Sequence, residues 1–139
     1  MRISNCKMIP VQKITDPRGD IGVIEGERQI PFAINRIYYS YNTPQGIARG
    51  GHAHKKLQQL MIAMAGSFDI MIDDGNAQKT YTLSQPCQGL YICPMIWREL
   101  TNFSPDAICM VLASEYYDED DYFRDYKQFL EAKKALAIP

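Results

Sequence analysis

Apolar residues in this chain gather in short runs that turn-forming residues keep interrupting. Met8-Ile9-Pro10-Val11 is one such run, broken by a proline that cannot donate to a ladder, and it reads as an edge strand. Asp16-Pro17-Arg18-Gly19-Asp20 has the composition of a turn, and residues 21–25 read as the next strand. Ile30-Pro31-Phe32 is a further extended piece. Residues 35–41 are rich in β-branched and aromatic side chains, and Asn42-Thr43-Pro44-Gln45-Gly46 ends them. Residues 58–65 fit a buried strand or a short helix on pattern alone; Gly66 and the neighbouring runs favour a strand. Residues 67–72 alternate imperfectly, Asp73-Asp74-Gly75-Asn76 is a hairpin signal, and residues 78–83 pair back. Strands follow at residues 90–92, 96–101 and 107–112.

Helical spacing arises only in the tail. Over residues 118–136, Tyr122, Phe123, Tyr126, Phe129, Leu130 and Leu136 recur as one face of a helix. Glu119, Asp120 and Asp121 then fall in its first turn and Lys133 and Lys134 near its end, which suits the helix dipole. The whole predicts an all-β antiparallel sandwich or barrel with a C-terminal α-helix. No repeat, low-complexity tract or linker divides it, so residues 1–139 read as a single domain.

Composition narrows the partners. A length of 139 residues supports one sizeable core, and a net charge of -1 favours neither nucleic acid nor an anionic membrane. No apolar run approaches the roughly 20 residues of a membrane helix. The N-terminal sequence lacks the apolar core of a signal peptide. Cys6, Cys87, Cys93 and Cys109 show no C-x-x-C spacing and read as reduced, mostly buried thiols of a cytoplasmic protein.

The chemistry concentrates in Arg49-Gly50-Gly51-His52-Ala53-His54-Lys55, which holds the only two histidines of the chain. In a strand, residues two apart face the same way, so both imidazoles enter one space. The glycines allow a close approach of backbone to a ligand or a neighbouring strand. Such a pair serves either proton transfer, near histidine's ordinary pKa of about 6.5, or half of a metal site.

Gly46, five residues, His52-Ala53-His54, four residues, Gln59 and then Gly66 follow the first motif of the cupins, and Pro94, Trp97, Arg98 and Asn102 loosely follow the second. The resemblance implies a jelly-roll. In metal-binding cupins a glutamate and a third histidine complete the ligand set; here Gln58 or Gln59 holds the first place and Arg98 or Glu99 the second. An amide removes a negative charge and a guanidinium adds a fixed positive one, which argues against a metal. Only a carboxylate from Glu99 would restore a ligand set.

A closer resemblance spans nearly the whole chain. Asp16-Pro17-Arg18-Gly19, Arg36-Ile37-Tyr38-Tyr39, the Arg49–Lys55 core, Asp73-Asp74-Gly75, Gly89-Leu90-Tyr91, Pro94-Met95-Ile96-Trp97-Arg98 and the run from Val111 to Asp118 are similar to the dTDP-4-keto-6-deoxyglucose 3,4-ketoisomerases. These cupins isomerise a dTDP-linked keto-deoxysugar. The resemblance implies a homodimer with exchanged N-terminal strands, and catalysis without metal or redox cofactor. It makes His52 the base and His54 a second acid/base group or relay. Tyr38 is expected near the sugar, although alternation alone fits Tyr39 equally. Arg49 and Arg98 are candidates for oxyanion or hydroxyl contacts, Arg18 for the diphosphate across the dimer, and Tyr91 and Trp97 for the pocket wall. Competing readings are a 3,5-epimerase of the same substrate, whose base histidine pairs with an aspartate not evident in this sequence, a non-catalytic sugar-binding cupin, and a metal-dependent dioxygenase.

Overall fold

A computed structural model describes residues 1–137. Twelve strands alternate with turns: β1 Lys7–Pro10, β2 Gln12–Asp16, β3 Gly19–Val23, β4 Arg36–Ser40, β5 Arg49–His54, β6 Gln59–Ala65, β7 Phe68–Asp73, β8 Gln78–Leu83, β9 Gln88–Ile92, β10 Trp97–Thr101, β11 Ile108–Ala113 and β12 Tyr122–Phe123. Helix α1, Tyr126–Ala137, follows. One sheet has the order β1-β9-β6-β11-β4 and the second β12-β5-β10-β7-β8, each antiparallel throughout. This is the two-sheet jelly-roll that the cupin motifs implied. Strands β2 and β3 form a hairpin of their own that joins neither sheet.

The register divides the barrel interior into two halves. Ile70 and Ile72 of β7 and Leu90 and Ile92 of β9 are fully buried and fill one half as a continuous apolar core. Inward positions of β4, β5, β6, β10 and β12 carry Tyr38, His52, His54, Gln59, Arg98 and Tyr122 instead. Cross-strand pairing of Arg98 with His52 and of Tyr122 with His54 sets them on one face. The polar residues therefore cluster because period-2 strands from both sheets point them at the same volume.

Two sequence expectations change. Residues 30–32, expected as an extended piece, lie in a bend with only an isolated bridge, Gly26 to Ile30. The helix begins later than residue 118. Glu119–Asp121 forms a separate 3-10 turn capped by the Asp118 side chain, and Tyr122–Phe123 pairs with β5 before α1 starts. Backbone pairing with β5 satisfies groups that a helix would otherwise claim, and the Asp125 carboxylate accepts from Gln128 N at 3.1 Å, as an N-cap does. Helix α1 covers the outer face of the second sheet, where Phe129, Ala53 and Trp97 form a small apolar cluster.

Candidate active site

Strand β5 carries the histidines into the barrel by way of a bulge. Arg98 opposes His52, yet Leu100 opposes Arg49, so β5 spends one residue more than β10. Gly50 takes up that residue at φ +80, and a Cβ there would lie 3.0 Å from Leu100 Cδ1. The bulge sets the phase of the strand, so that His52 and His54 both point inward. Their rings stand 4.8 Å apart at 86°, and Tyr122 leans on both, at 5.1 Å from His52 and 4.4 Å from His54.

The two imidazoles are not equivalent. His52 is part-buried and lines a cavity of about 320 Å³ with Tyr38, Arg49, Met61, Arg98 and Val111. His54 is 1% exposed and lies behind it, off the cavity wall. Burial, then the charge of Arg98, pushes His52 down to about 3 and holds His54 well below the usual imidazole range. Both rings are neutral at working pH. Asp121 Oδ2 sits 3.3 Å from His54 Nδ1, off the hydrogen-bonding axis of the ring. The same carboxylate accepts from Lys56 N at 2.9 Å and Leu57 N at 3.3 Å, so its main work is to clamp the chain just after β5. The aspartate beside the histidine pair thus stands at His54 and not at His52, the expected base.

Arg98 is fully buried. Its Nε donates to the Ile96 carbonyl at 3.2 Å and its Nη1 to Gln59 Oε1, while Nη2 has no partner among the described residues. Gln59 Nε2 in turn donates to the Tyr38 hydroxyl at 2.7 Å. Burial raises the Tyr38 phenol, opposed by Arg98. Arg36 lies 5.1 Å over the Tyr38 ring and 5.7 Å over Tyr117. The shell around His52 is therefore imidazole, amide, phenol and guanidinium, a donor set that suits an anion and not a divalent cation. Glu99 does not restore a ligand set. It alternates with Arg98 on β10, opposite Met71, and its carboxylate lies 3.8 Å from the Cβ position of Gly51, on the outer face.

The other expected residues divide between the cavity wall and the outer faces. Tyr38 points inward to Gln59; Tyr39 also lines the cavity but is 61% exposed and stacks on Tyr41. Arg49 stands on the cavity wall as an exposed residue. Trp97 is not on that wall: it lies on the outer face against Tyr126 at 5.2 Å and Phe129 at 5.9 Å. Tyr91 is also away from it, paired with Leu60 on the outer face of the first sheet, stacked with Phe32 at 6.3 Å and donating to Gln58 Oε1 at 2.7 Å. Both aromatics belong to packing, because each shares its strand with an inward neighbour. Arg18 sits in the turn of the β2–β3 hairpin with its side chain 90% exposed and bonded to Asp16 at 2.7 Å. Sequence reasoning missed Tyr122 and Asp121, since their spacing imitates a helix face and no local motif marks them. It saw Gln59 only as a missing ligand, not as the link between Arg98 and Tyr38.

Comparison with known proteins agrees with this geometry. The family described as FdtA, WxcM-like, C-terminal, matches residues 4–134. The chain is 47% identical over 131 residues to the TDP-4-oxo-6-deoxy-alpha-D-glucose-3,4-oxoisomerase of Aneurinibacillus thermoaerophilus, covering 94% of this chain and 92% of that protein. It superposes with TM-score 0.93 and 39% identity on a histidine-to-asparagine variant of the 3,4-ketoisomerase QdtA from Thermoanaerobacterium thermosaccharolyticum, in complex with TDP-4-keto-6-deoxyglucose, over 97% of this chain and 98% of that one. The TDP-quinovose 3,4-ketoisomerase WlaRB of Campylobacter jejuni gives TM-score 0.89 and 43% identity over 93% and 99% of the two chains. The two-sheet barrel, the paired imidazoles inside it and these relatives together make the chain an isomerase belonging to the FdtA family of sugar 3,4-ketoisomerases.

Proposed function

We propose that this chain moves the ketone of TDP-4-keto-6-deoxyglucose from C4 to C3, with His52 as the base. The observation that carries the reading is a neutral imidazole on the wall of a cavity whose other polar groups are donors. A ketone at C4 acidifies the C3 hydrogen. His52 takes that proton, the C3–H pair becomes the C3–C4 double bond, and charge collects on O4 as an enediolate. Tyr38 and Arg98 are the fixed donors for that oxygen. Transfer of the O3 proton to O4 and return of the His52 proton to C4 leave a ketone at C3 and a hydroxyl at C4. No electron leaves the sugar, so the balance requires no redox partner. A base held as low as His52 is weak in the empty site; the enediolate charge forming beside it favours the imidazolium as the reaction proceeds. His54, sealed behind His52, suits a relay better than direct contact with sugar.

The remaining features belong to the same proposal. The TDP diphosphate needs a cation, and Arg18 supplies it from the hairpin of a second copy in a homodimer with exchanged N-terminal strands. The four cysteines are free thiols, which fits a cytoplasmic enzyme. Among the described residues no helix is long and apolar enough to cross a membrane.

Incubation with TDP-4-keto-6-deoxyglucose and NMR of the product is the test. The expected result is a TDP-3-keto-6-deoxyhexose, formed equally fast after thorough chelation. His52→Asn is expected to lower turnover by about 10³-fold or more while TDP still binds. Full turnover by that variant removes His52 from its role. In deuterated water the isomerase labels C4, whereas a 3,5-epimerase would label C3 and C5.

A further inference from the structure

Gln59 is fully buried and touches both polar ends of the site. Its carbonyl accepts from Arg98 Nη1, and its amide nitrogen donates to the Tyr38 hydroxyl at 2.7 Å. The amide has no freedom to turn over. A guanidinium carries only donors, so the group facing Arg98 has to be the carbonyl. A flipped amide would set two donors against each other between two fully buried side chains. The amide nitrogen is then fixed toward Tyr38, and the phenol oxygen is fixed as its acceptor. A phenol has one proton, and here Gln59 does not consume it.

Gln58, the preceding residue, holds Tyr91 in the opposite arrangement. The Tyr91 hydroxyl gives its proton to the carbonyl of Gln58 at 2.7 Å. Adjacent glutamines thus hold two tyrosines in opposite polarities: Tyr91 as a spent donor in the packing, Tyr38 as an unspent donor facing the cavity.

We propose that Gln59 is a positioning residue that sets the polarity of Tyr38, so that the phenol proton is available only to an oxygen entering the cavity. The inference rests on the isomerase reading for its substrate oxygen, O4 of the keto sugar. Arg98 acts at one remove by fixing the amide. This gives a reason for an amide where metal-binding cupins carry a carboxylate. A carboxylate would pair with Arg98 at least as well, but it would take the Tyr38 proton for itself.

The test is Gln59→Glu, alone and with Tyr38→Phe. The single variant keeps a partner for Arg98 and nearly the same volume. Its kcat is expected to fall by about 100-fold, the cost of one oxyanion donor, with KM changed less than about threefold. In the Tyr38→Phe background the same substitution is expected to change kcat no further. Additive losses, or a Gln59→Glu enzyme within about threefold of native kcat, overturn the proposal. A readout without substrate separates this failure from failure of the isomerase reading. With 3-fluorotyrosine incorporated, the Tyr38 resonance, assigned through Tyr38→Phe, reports the phenol titration by fluorine NMR. Gln59→Glu is expected to move that titration to higher pH; an unmoved titration overturns the contact itself. If Gln59→Glu does not fold, Gln59→Met with Arg98→Met removes both polar partners together. In that pair the fluorine resonance is expected to titrate at a pH different from that in Arg98→Met alone, and a value equal to that single variant overturns the proposal.

Discussion

Two imidazoles and one guanidinium share the barrel interior, and the cost of that arrangement falls on folding. His52 titrates at about 3 in the fold, through burial first and the Arg98 charge second, against about 6.5 in an unfolded chain. The folded state therefore binds fewer protons than the unfolded one between those values. The stability His52 contributes is complete above pH 6.5 and is lost as pH falls toward 3. His54, shifted the same way by the same causes, adds to the slope. The expected outcome is a Tm that declines steadily below pH 6.5, and declines less steeply in His52→Asn. Calorimetry across that range checks it, and identical slopes would contradict the depressed imidazole. The same shift predicts that kcat/KM of the free enzyme shows no acid limb near 6.5, unlike an enzyme with an ordinary histidine base. The charge of Arg98 thus has two effects of opposite use: it weakens the resting base and stabilises the anion that the base creates.

At the scale of elements, one bulged strand decides whether the site exists. Period-2 alternation is legible in the sequence and places His52 and His54 on one face. What alternation cannot give is its own phase, and β5 shows why. Gly50 holds φ +80 where β5 has one residue too many, and the residues beyond it are shifted against β10. Gly50→Ala is expected to cost about 1–3 kcal/mol in strain and in contact with Leu100, lowering Tm, and to lower kcat more than KM because His52 is displaced. The same missing phase explains the misplaced aromatics. Trp97 beside Arg98 and Tyr91 between Leu90 and Ile92 were each assigned to the pocket, and each lies on the outer face of its strand. Trp97→Phe is accordingly expected to lower thermal stability through the cluster with Phe129 and α1, and to leave KM within about twofold. A large rise in KM would return Trp97 to the substrate. The tail misled in another way. A helical spacing that begins at Tyr122 also fits two strand residues followed by a helix, and only the pairing with β5 distinguishes them.

For the whole molecule, the open question is what the β2–β3 hairpin does in a chain whose sheets do not include it. Ile14 and Ile21 on the hairpin are 47% and 59% exposed, and β4, with Ile37 57% exposed, is an unpaired edge of its sheet. Beside them a groove of about 690 Å³ is lined by Val11, Ile24, Ile62, Met64, Met110 and Leu112. An apolar edge next to a free hairpin fits a second copy laid across it. Light scattering is then expected to give twice the 15.9 kDa chain mass. A dimer alone would not tie the hairpin to catalysis, but Arg18 permits a sharper experiment. Arg18→Ala is expected to raise KM about tenfold, the loss of one charge-assisted contact to a diphosphate. Co-expression of Arg18→Ala with His52→Asn then discriminates between the two placements of that arginine. If Arg18 serves the partner's cavity, half of the dimers are mixed, and each mixed dimer holds one intact site, native His52 with native Arg18 from the other chain. About a quarter of all sites recover native KM. If Arg18 serves its own chain, every site carries one defect or the other, and no native-KM fraction appears at any mixing ratio.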